Sequence, residues 1–290
     1  MIRLNGSKWR VDIAPELGGG LLAGRYDGVD VMYPARLPVS GFAPLCLSSF
    51  PLVPFSNRIR DGKFAFNGQD IELEKPMPGE GNAIHGHGWV RPWSVLSFAD
   101  KSATLELVHD ASDWPWDYVA RQDFSIKKDA FTHTLSVTNR SRSPMPAGLG
   151  LHPYFPRTSD CEVEYAVRGV WTGPVHGIPA RREELPSYMD FSTRKVPGPE
   201  FIDHCFEGWT GQAELRWPDR GVGIRMGADD AARHLVTYFP CGEDFFCIEP
   251  VTHMNDAVNW HGDQNETGLR VLAPGESLSV TMTLTGFELS

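Results

Sequence analysis

The sequence predicts an all-β protein, a mostly antiparallel sandwich or barrel with few short helices. Three observations lead there. Glycine (29) and proline (23) are spread along all 290 residues and leave little room for long helices. Between these breaks the apolar residues recur with period two, as a strand with one packed and one polar face requires. No window sustains an apolar i, i+3, i+4, i+7 stripe over three turns, so the βαβ alternation of a parallel sheet is missing.

In chain order, strands are predicted at Thr104–Val108, Phe131–Thr138, Glu162–Val167, Ala213–Trp217, Val222–Met226, His234–Phe239 and Leu278–Thr285. The clearest is Phe131–Thr138, where Phe131, His133, Leu135 and Val137 alternate with Thr132, Thr134, Ser136 and Thr138. Leu278, Val280, Met282 and Leu284 alternate with Ser279, Thr281, Thr283 and Thr285 in the same way. The best candidate linker is Ser192–Glu200, but strands are expected on both sides of it, and one domain over residues 1–290 is the reading. There is no repeat of fixed period and no low-complexity tract.

Composition removes several classes of function. With 27 basic and 37 acidic residues the formal charge is −10, and no basic run is present. Phosphate backbones and anionic membranes both need clustered Lys and Arg, so neither nucleic acid nor membrane is an expected partner. No stretch approaches the roughly 18 apolar residues of a membrane helix. The N-terminal residues hold no uninterrupted apolar signal core, and the five cysteines (46, 161, 205, 241 and 247) include no CxxC pair. Reduced, mostly buried thiols in a cytoplasmic protein are expected.

Four segments set ionisable groups among aromatic residues and glycines: Asn82–Trp89, Gly150–Phe155, Phe201–Phe206 and Phe245–Pro250. Glu249 ends an apolar run and precedes Pro250, so its carboxylate is expected to be part-buried, a position that disfavours its charge unless donors surround it. The plainer alternative is a strand-end Glu turned to solvent. His152 precedes Pro153, which favours an extended backbone, and it projects either into an aromatic cleft or into the core. His133 lies on the apolar face of a regular strand and reads as a core histidine. His85 and His87 at i and i+2 would share a strand face, and with Glu249 and His253 they suit a cupin-like metal centre. Such a centre expects a Glu shortly after the pair, whereas Gly88, Trp89, Val90 and Arg91 follow, so no metal is expected. GxGxxG, P-loop, GxSxG and HExxH motifs are absent.

Taken together, these segments resemble the aldose 1-epimerase (galactose mutarotase-like) family, in particular its bacterial branch of uncharacterised members. Pro54-Phe55-Ser56-Asn57-Arg58-Ile59-Arg60-Asp61-Gly62-Lys63-Phe64 is similar to the family's N-R-I…G-x-F stretch, Asn82-Ala83-Ile84-His85-Gly86 to its N-x-L-H-G motif, and His152-Pro153-Tyr154-Phe155 to its H-x-Y-F motif. Asp203-His204-Cys205-Phe206 resembles the segment of the substrate-binding Asp, and Ile248-Glu249-Pro250 stands where the family has its catalytic Glu. The motifs follow one another in family order.

The resemblance implies a large antiparallel supersandwich with its site on a concave face, a monosaccharide substrate and no cofactor. It implies Glu249 as base at the C1 hydroxyl of an aldohexose, His152 as acid at the ring oxygen and His85 beside that oxygen. Arg58, Asp203 and Asn57 would bind sugar hydroxyls, together with His87, which stands where the best-known members carry a small residue. Trp89, Tyr154 or Trp209 would offer an aromatic face. With Glu249 ionised and His152 protonated, a plateau of rate at neutral pH would require a raised His152 pKa. Two alternatives accompany this reading. One is a hexose-6-phosphate 1-epimerase, for which Arg91, Arg181 and Arg182 are the available cations. The other is a non-catalytic carbohydrate-binding or sensing module.

Overall fold

In a computed structural model, residues 1–36 and 42–289 are described, and antiparallel strands dominate them. The helices among these residues are short 3₁₀ turns, the longest being Ala43–Cys46. Among the described residues no helix is long and apolar enough to cross a membrane.

Two eight-stranded sheets make up the body. The first runs in the order Ser94–Ala99, Ser102–His109, Tyr118–Lys127, Ala130–Asn139, Ser277–Glu288, Val222–Ala228, Gln212–Trp217 and Glu162–Tyr165. It contains six of the seven strands expected from alternation, and the two clearest are direct neighbours: Phe131 faces Leu284, Leu135 faces Val280 and Val137 faces Leu278. Their apolar sides are buried, and their other sides form a hydroxyl ladder in which Thr132 meets Thr283 at 3.3 Å, Thr134 meets Thr281 at 3.0 Å and Thr138 meets Ser277 at 2.8 Å. A one-residue slip would exchange these faces, so the register is specified by the sequence itself. His133 is a core residue as expected, its Nε2 at 2.9 Å from the Gln122 side chain, and burial lowers its pKa to about 3.

The second sheet runs Arg181–Glu183, Gly169–Thr172, Ile202–Glu207, His234–Phe239, Phe245–Val251, Gly150–Leu151 and Pro51–Leu52, with Tyr154–Pro156 also pairing to Phe245–Val251. One contiguous apolar core draws on both sheets, with Leu135, Val280 and Leu284 from the first and Phe206, Leu235, Phe246 and Ile248 from the second. The opposite face of the second sheet carries a separate cluster that includes Phe50, Trp89, Tyr154, Trp171, Cys205, Val236 and Cys247. All seven residues of Phe245–Val251 are therefore buried, which explains why this strand lacks alternation in the sequence. Three smaller pairings and a four-stranded N-terminal sheet, Ile2–Asn5 to Val29–Asp30, complete the fold. Within Ser192–Glu200, Lys195 exchanges both backbone hydrogen bonds with Val163, which ties that segment to the first sheet.

Candidate active site

Strand register brings the candidate residues together. Val236 lies opposite both Cys205 and Glu249, while Tyr238 lies opposite both Asp203 and Cys247. Asp203 and Glu249 thus stand on one face of the second sheet, separated by a single strand. It is the face turned away from the main core. His152 occupies the break between Gly150–Leu151 and Tyr154–Pro156, fixed by its backbone N–H donating to the Phe50 carbonyl at 3.1 Å. Its imidazole stacks on Tyr154 (centroids 4.8 Å, 17°) and leans on Phe50 at 4.5 Å.

The centre is the pair His152 and Glu249, with Nε2 and Oε1 3.3 Å apart. Glu249 is 1% exposed, its Oε2 has no partner, and Nδ1 of His152 likewise has none. Burial drives the two groups in opposite directions, each toward neutrality. Glu249 is raised well above its ordinary value by desolvation, reinforced by the charge of Asp203 and opposed by Arg58. His152 is lowered to about 3 by desolvation. A neutral-pH plateau with His152 protonated requires a raised His152, and burial lowers it instead. Both shifts favour the uncharged forms of the two groups.

His85 joins this centre from the other side. Its ring meets His152 edge-on at 5.5 Å and Trp89 at 5.0 Å. The backbone there is left-handed at His85 (φ 61°) and at Gly86 (φ 65°), where any Cβ would lie 2.3 Å from the Val53 carbonyl. The Asn57 N–H donates to Nδ1 of His85 at 3.1 Å. Burial, with the neighbouring cations, holds His85 well below the usual imidazole pKa. A neutral ring that accepts at Nδ1 carries its proton on Nε2, so His85 is a fixed donor.

Arg58 and Asp203 form the third part. Nη1 of Arg58 is 3.7 Å from Oδ2 of Asp203, and its Nε donates to Glu80 at 3.0 Å. Asn57 turns its Oδ1 back to the Arg58 backbone N–H (3.0 Å) and Nη1 (3.3 Å). Asn57 therefore orients Arg58 and His85. Burial would raise Asp203, but the hydrogen bond from His176 and the charge of Arg58 outweigh it and leave Asp203 below its ordinary value.

His87, expected beside the sugar, is placed elsewhere. Its Nε2 lies 3.1 Å from Asp113, its Nδ1 3.3 Å from the Tyr118 hydroxyl, and its ring stacks on His109 at 4.5 Å. Both nitrogens are committed, because the residue after Gly86 turns to the other side of the loop. Trp209 belongs to the main core, whereas Trp89 and Tyr154 belong to the site's cluster. The HxH metal grouping also separates: His253 donates from Nδ1 to the Met254 carbonyl and accepts the Ser56 N–H at Nε2, which leaves no lone pair for a metal. A different donor set does converge, since ligand atoms of His152, Cys247 and Glu249 lie within 4.8 Å of one another. Cys247 is among four buried cysteines, and Cys241 is exposed.

The sequence reading missed His176, whose Nε2 is 2.7 Å from Oδ2 of Asp203, and Trp171, whose buried indole N–H has no partner. Both line a cavity of about 100 Å³ with Asp203, His204, Cys205 and Asn255. Neither residue sits in a recognisable motif; an unpaired Trp and a His before Gly177 carry no periodic signal.

The second sheet thus carries a carboxylate–imidazole couple flanked by a second imidazole and an Arg–Asp pair. The aldose 1-epimerase family profile matches residues 2–285, and the chain belongs to that family. YphB of Escherichia coli K12, an uncharacterised protein, is 31% identical over 284 residues, covering 95% of this chain and 94% of its own. A candidate aldose 1-epimerase from the same organism, solved by crystallography, superposes with a TM-score of 0.90 at 29% identity, over 99% of this chain and 98% of that one. A galactose mutarotase-like protein from Clostridium acetobutylicum shares the fold, with a TM-score of 0.86 at 19% identity over 99% and 95% of the two chains.

Proposed function

We propose that the protein is an aldose 1-epimerase that interconverts the α and β anomers of a free aldohexose by general acid–base ring opening and closure. The observation that carries this reading is the buried Glu249–His152 couple, 3.3 Å apart, with a carboxylate oxygen and a ring nitrogen left unpartnered. A buried polar atom without a protein partner is costly, and a sugar hydroxyl reaching it would recover that cost.

The chemistry follows from counting protons. Ring opening takes a proton from the C1 hydroxyl and delivers one to the ring oxygen. Glu249 as carboxylate and His152 as imidazolium hold one proton between them; after opening, Glu249 holds the proton from C1 and His152 has given up its own. The couple again holds one proton. Rotation about C1–C2 and the reverse transfers then give the other anomer. Both arrangements have zero net charge, so the step moves protons without burying a net charge. Desolvation favours the neutral arrangement, which accompanies the open-chain sugar. Each positioned transfer contributes roughly 10²–10⁴-fold. His85, with its proton held on Nε2, donates toward the ring oxygen, and Arg58 and Asp203 fix hydroxyls. Asn57 acts through Arg58 and His85.

A free sugar fits better than a phosphorylated one. Arg91 is bound to His109, Arg181 to Glu183 and Arg182 to Glu207, so the three arginines considered for a phosphate are engaged elsewhere. Polarimetry of freshly dissolved α-D-galactose and α-D-glucose tests the proposal. Faster decay of rotation with the protein is the expected result. Sugar binding without any acceleration, across several aldoses, would favour the non-catalytic sugar-binding module.

A further inference from the structure

His176 lies outside every motif that led to the site, yet it makes the shortest contact to Asp203. Its loop, between the strands Gly169–Thr172 and Arg181–Glu183, is held down from three sides. The Ile178 N–H donates to the Val175 carbonyl at 3.1 Å, and the Ala180 N–H to Thr172 at 2.7 Å. Asn255 donates its side-chain N–H to the Gly177 carbonyl at 3.1 Å. Gly177 has φ 71°, and a Cβ there would lie 2.5 Å from Nη1 of Arg58, so only glycine lets the loop rest directly on Arg58. His176 itself is half-exposed, so burial does not hold it in place.

We propose that His176 is a positioning residue that sets sugar affinity by holding the Asp203 carboxylate. Both cations approach the same oxygen: His176 at 2.7 Å and Arg58 at 3.7 Å reach Oδ2, which leaves Oδ1 to accept a sugar hydroxyl. The proposal rests on the sugar-site reading above and adds to it the residue that fixes the acceptor. The groups facing His176 are Asp203, Arg58, Glu80 and His204. Asp203 and Glu80 are held below their ordinary values, and His204 is lowered by burial. His176 is shifted the other way, raised chiefly by its hydrogen bond to Asp203. In this network it is the group whose charge is lost as pH rises through its raised value, which weakens the clamp on Asp203.

The test compares wild type with His176→Ala and His176→Gln in mutarotation of galactose and glucose across pH. The expected result is a KM about tenfold higher in His176→Ala, the size of one charge-assisted hydrogen bond, with kcat within about twofold. The wild-type KM should climb with pH above neutrality, and that climb should be absent in His176→Gln. Glu249 remains in both proteins, so its own titration cancels in the comparison. An unchanged KM, an equal loss in kcat, or the same pH dependence in wild type and His176→Gln would overturn the proposal. If the wild type shows no mutarotation, the epimerase reading fails, and galactose and glucose titrations followed by tryptophan fluorescence decide this one. Tighter binding by wild type than by His176→Ala supports the clamp; equal binding, or no binding by wild type, overturns it.

Discussion

Two buried clusters of imidazole and carboxylate sit on either side of Gly86, and they are finished differently. Around His87, both ring nitrogens and both Asp113 oxygens have partners. Asp113 receives His87, the Ser112 hydroxyl and the Glu74 N–H, while His109 meets Arg91 at one ring nitrogen and the Trp114 carbonyl at the other. Around His152, the carboxylate of Glu249 and the imidazole each keep an unpartnered atom. The first pattern is that of a buried polar network that stabilises a loop, and the second is that of a site waiting for a ligand to complete it. The difference teaches that residue type does not separate function from scaffold here: both clusters are His, acid and Tyr. The contrast lies in the acid and imidazole themselves: Asp113 and His87 are paired at every polar atom, whereas Glu249 and His152 each keep one free.

The sharpest way to break this comparison is to remove the proton couple. Glu249→Gln keeps the shape of the side chain and removes the base, and is expected to lower kcat by about 10²-fold or more with a much smaller change in KM. His152→Asn should act similarly, and the double variant should lose less than the product of the two, because the pair acts as a unit. Steady-state polarimetry on the three variants checks this; a wild-type rate in Glu249→Gln removes Glu249 from the chemistry.

The pH profile comes next in size. The couple is competent with one proton. The second proton adds to His152 at about 3, and the only proton leaves as pH passes the raised Glu249 value. The rate is therefore expected to fall on the acid side as His152 takes up a second proton at about 3, and on the alkaline side as pH passes the raised Glu249 value. A kcat/KM profile whose acid limb lies at the ordinary carboxylate value of about 4.3 would mean that the couple is hydrated and unperturbed.

On the other side of Gly86 the expected effects fall on stability. His87→Leu removes the partner of a half-buried Asp113 and should cost about 1–3 kcal/mol in urea unfolding, with kcat within about threefold of wild type. A large loss of kcat with unchanged stability would move His87 into the catalytic machinery and erase the contrast between the clusters. The same unfolding curves bear on domain organisation: one cooperative transition is expected, given the backbone exchange between Lys195 and Val163 across the candidate linker. The smallest expected effect is that of excess EDTA. Proton transfer to and from a neutral sugar needs no Lewis acid, so activity should be unchanged; loss of activity restored by one metal would make the His152, Cys247 and Glu249 donors a working metal centre.

What the sequence by itself determined is the alternation and the order of the motifs. Thr132, Thr134 and Ser136 could form only one face of a strand, and the partner strand at Leu278–Thr285 repeats the same period, so the first sheet was legible locally. Glu249, His152, His85, Arg58 and Asp203 were legible because each is embedded in a short segment whose residue types are unusual together. Tertiary structure alone decided how those groups behave. His87 shares its segment with His85, yet Asp113 and Tyr118, brought in from another strand and its loop, take both of its nitrogens. His176 is joined to Asp203 only because neighbouring strands of the second sheet carry its loop across to Arg58. The proton state of Glu249 and His152 follows from desolvation by rings and strands distant in sequence. Periodicity is a property of consecutive residues, whereas solvation and pairing are properties of whatever the fold brings within a few ångströms, and it is the second kind that sets a pKa and completes a site.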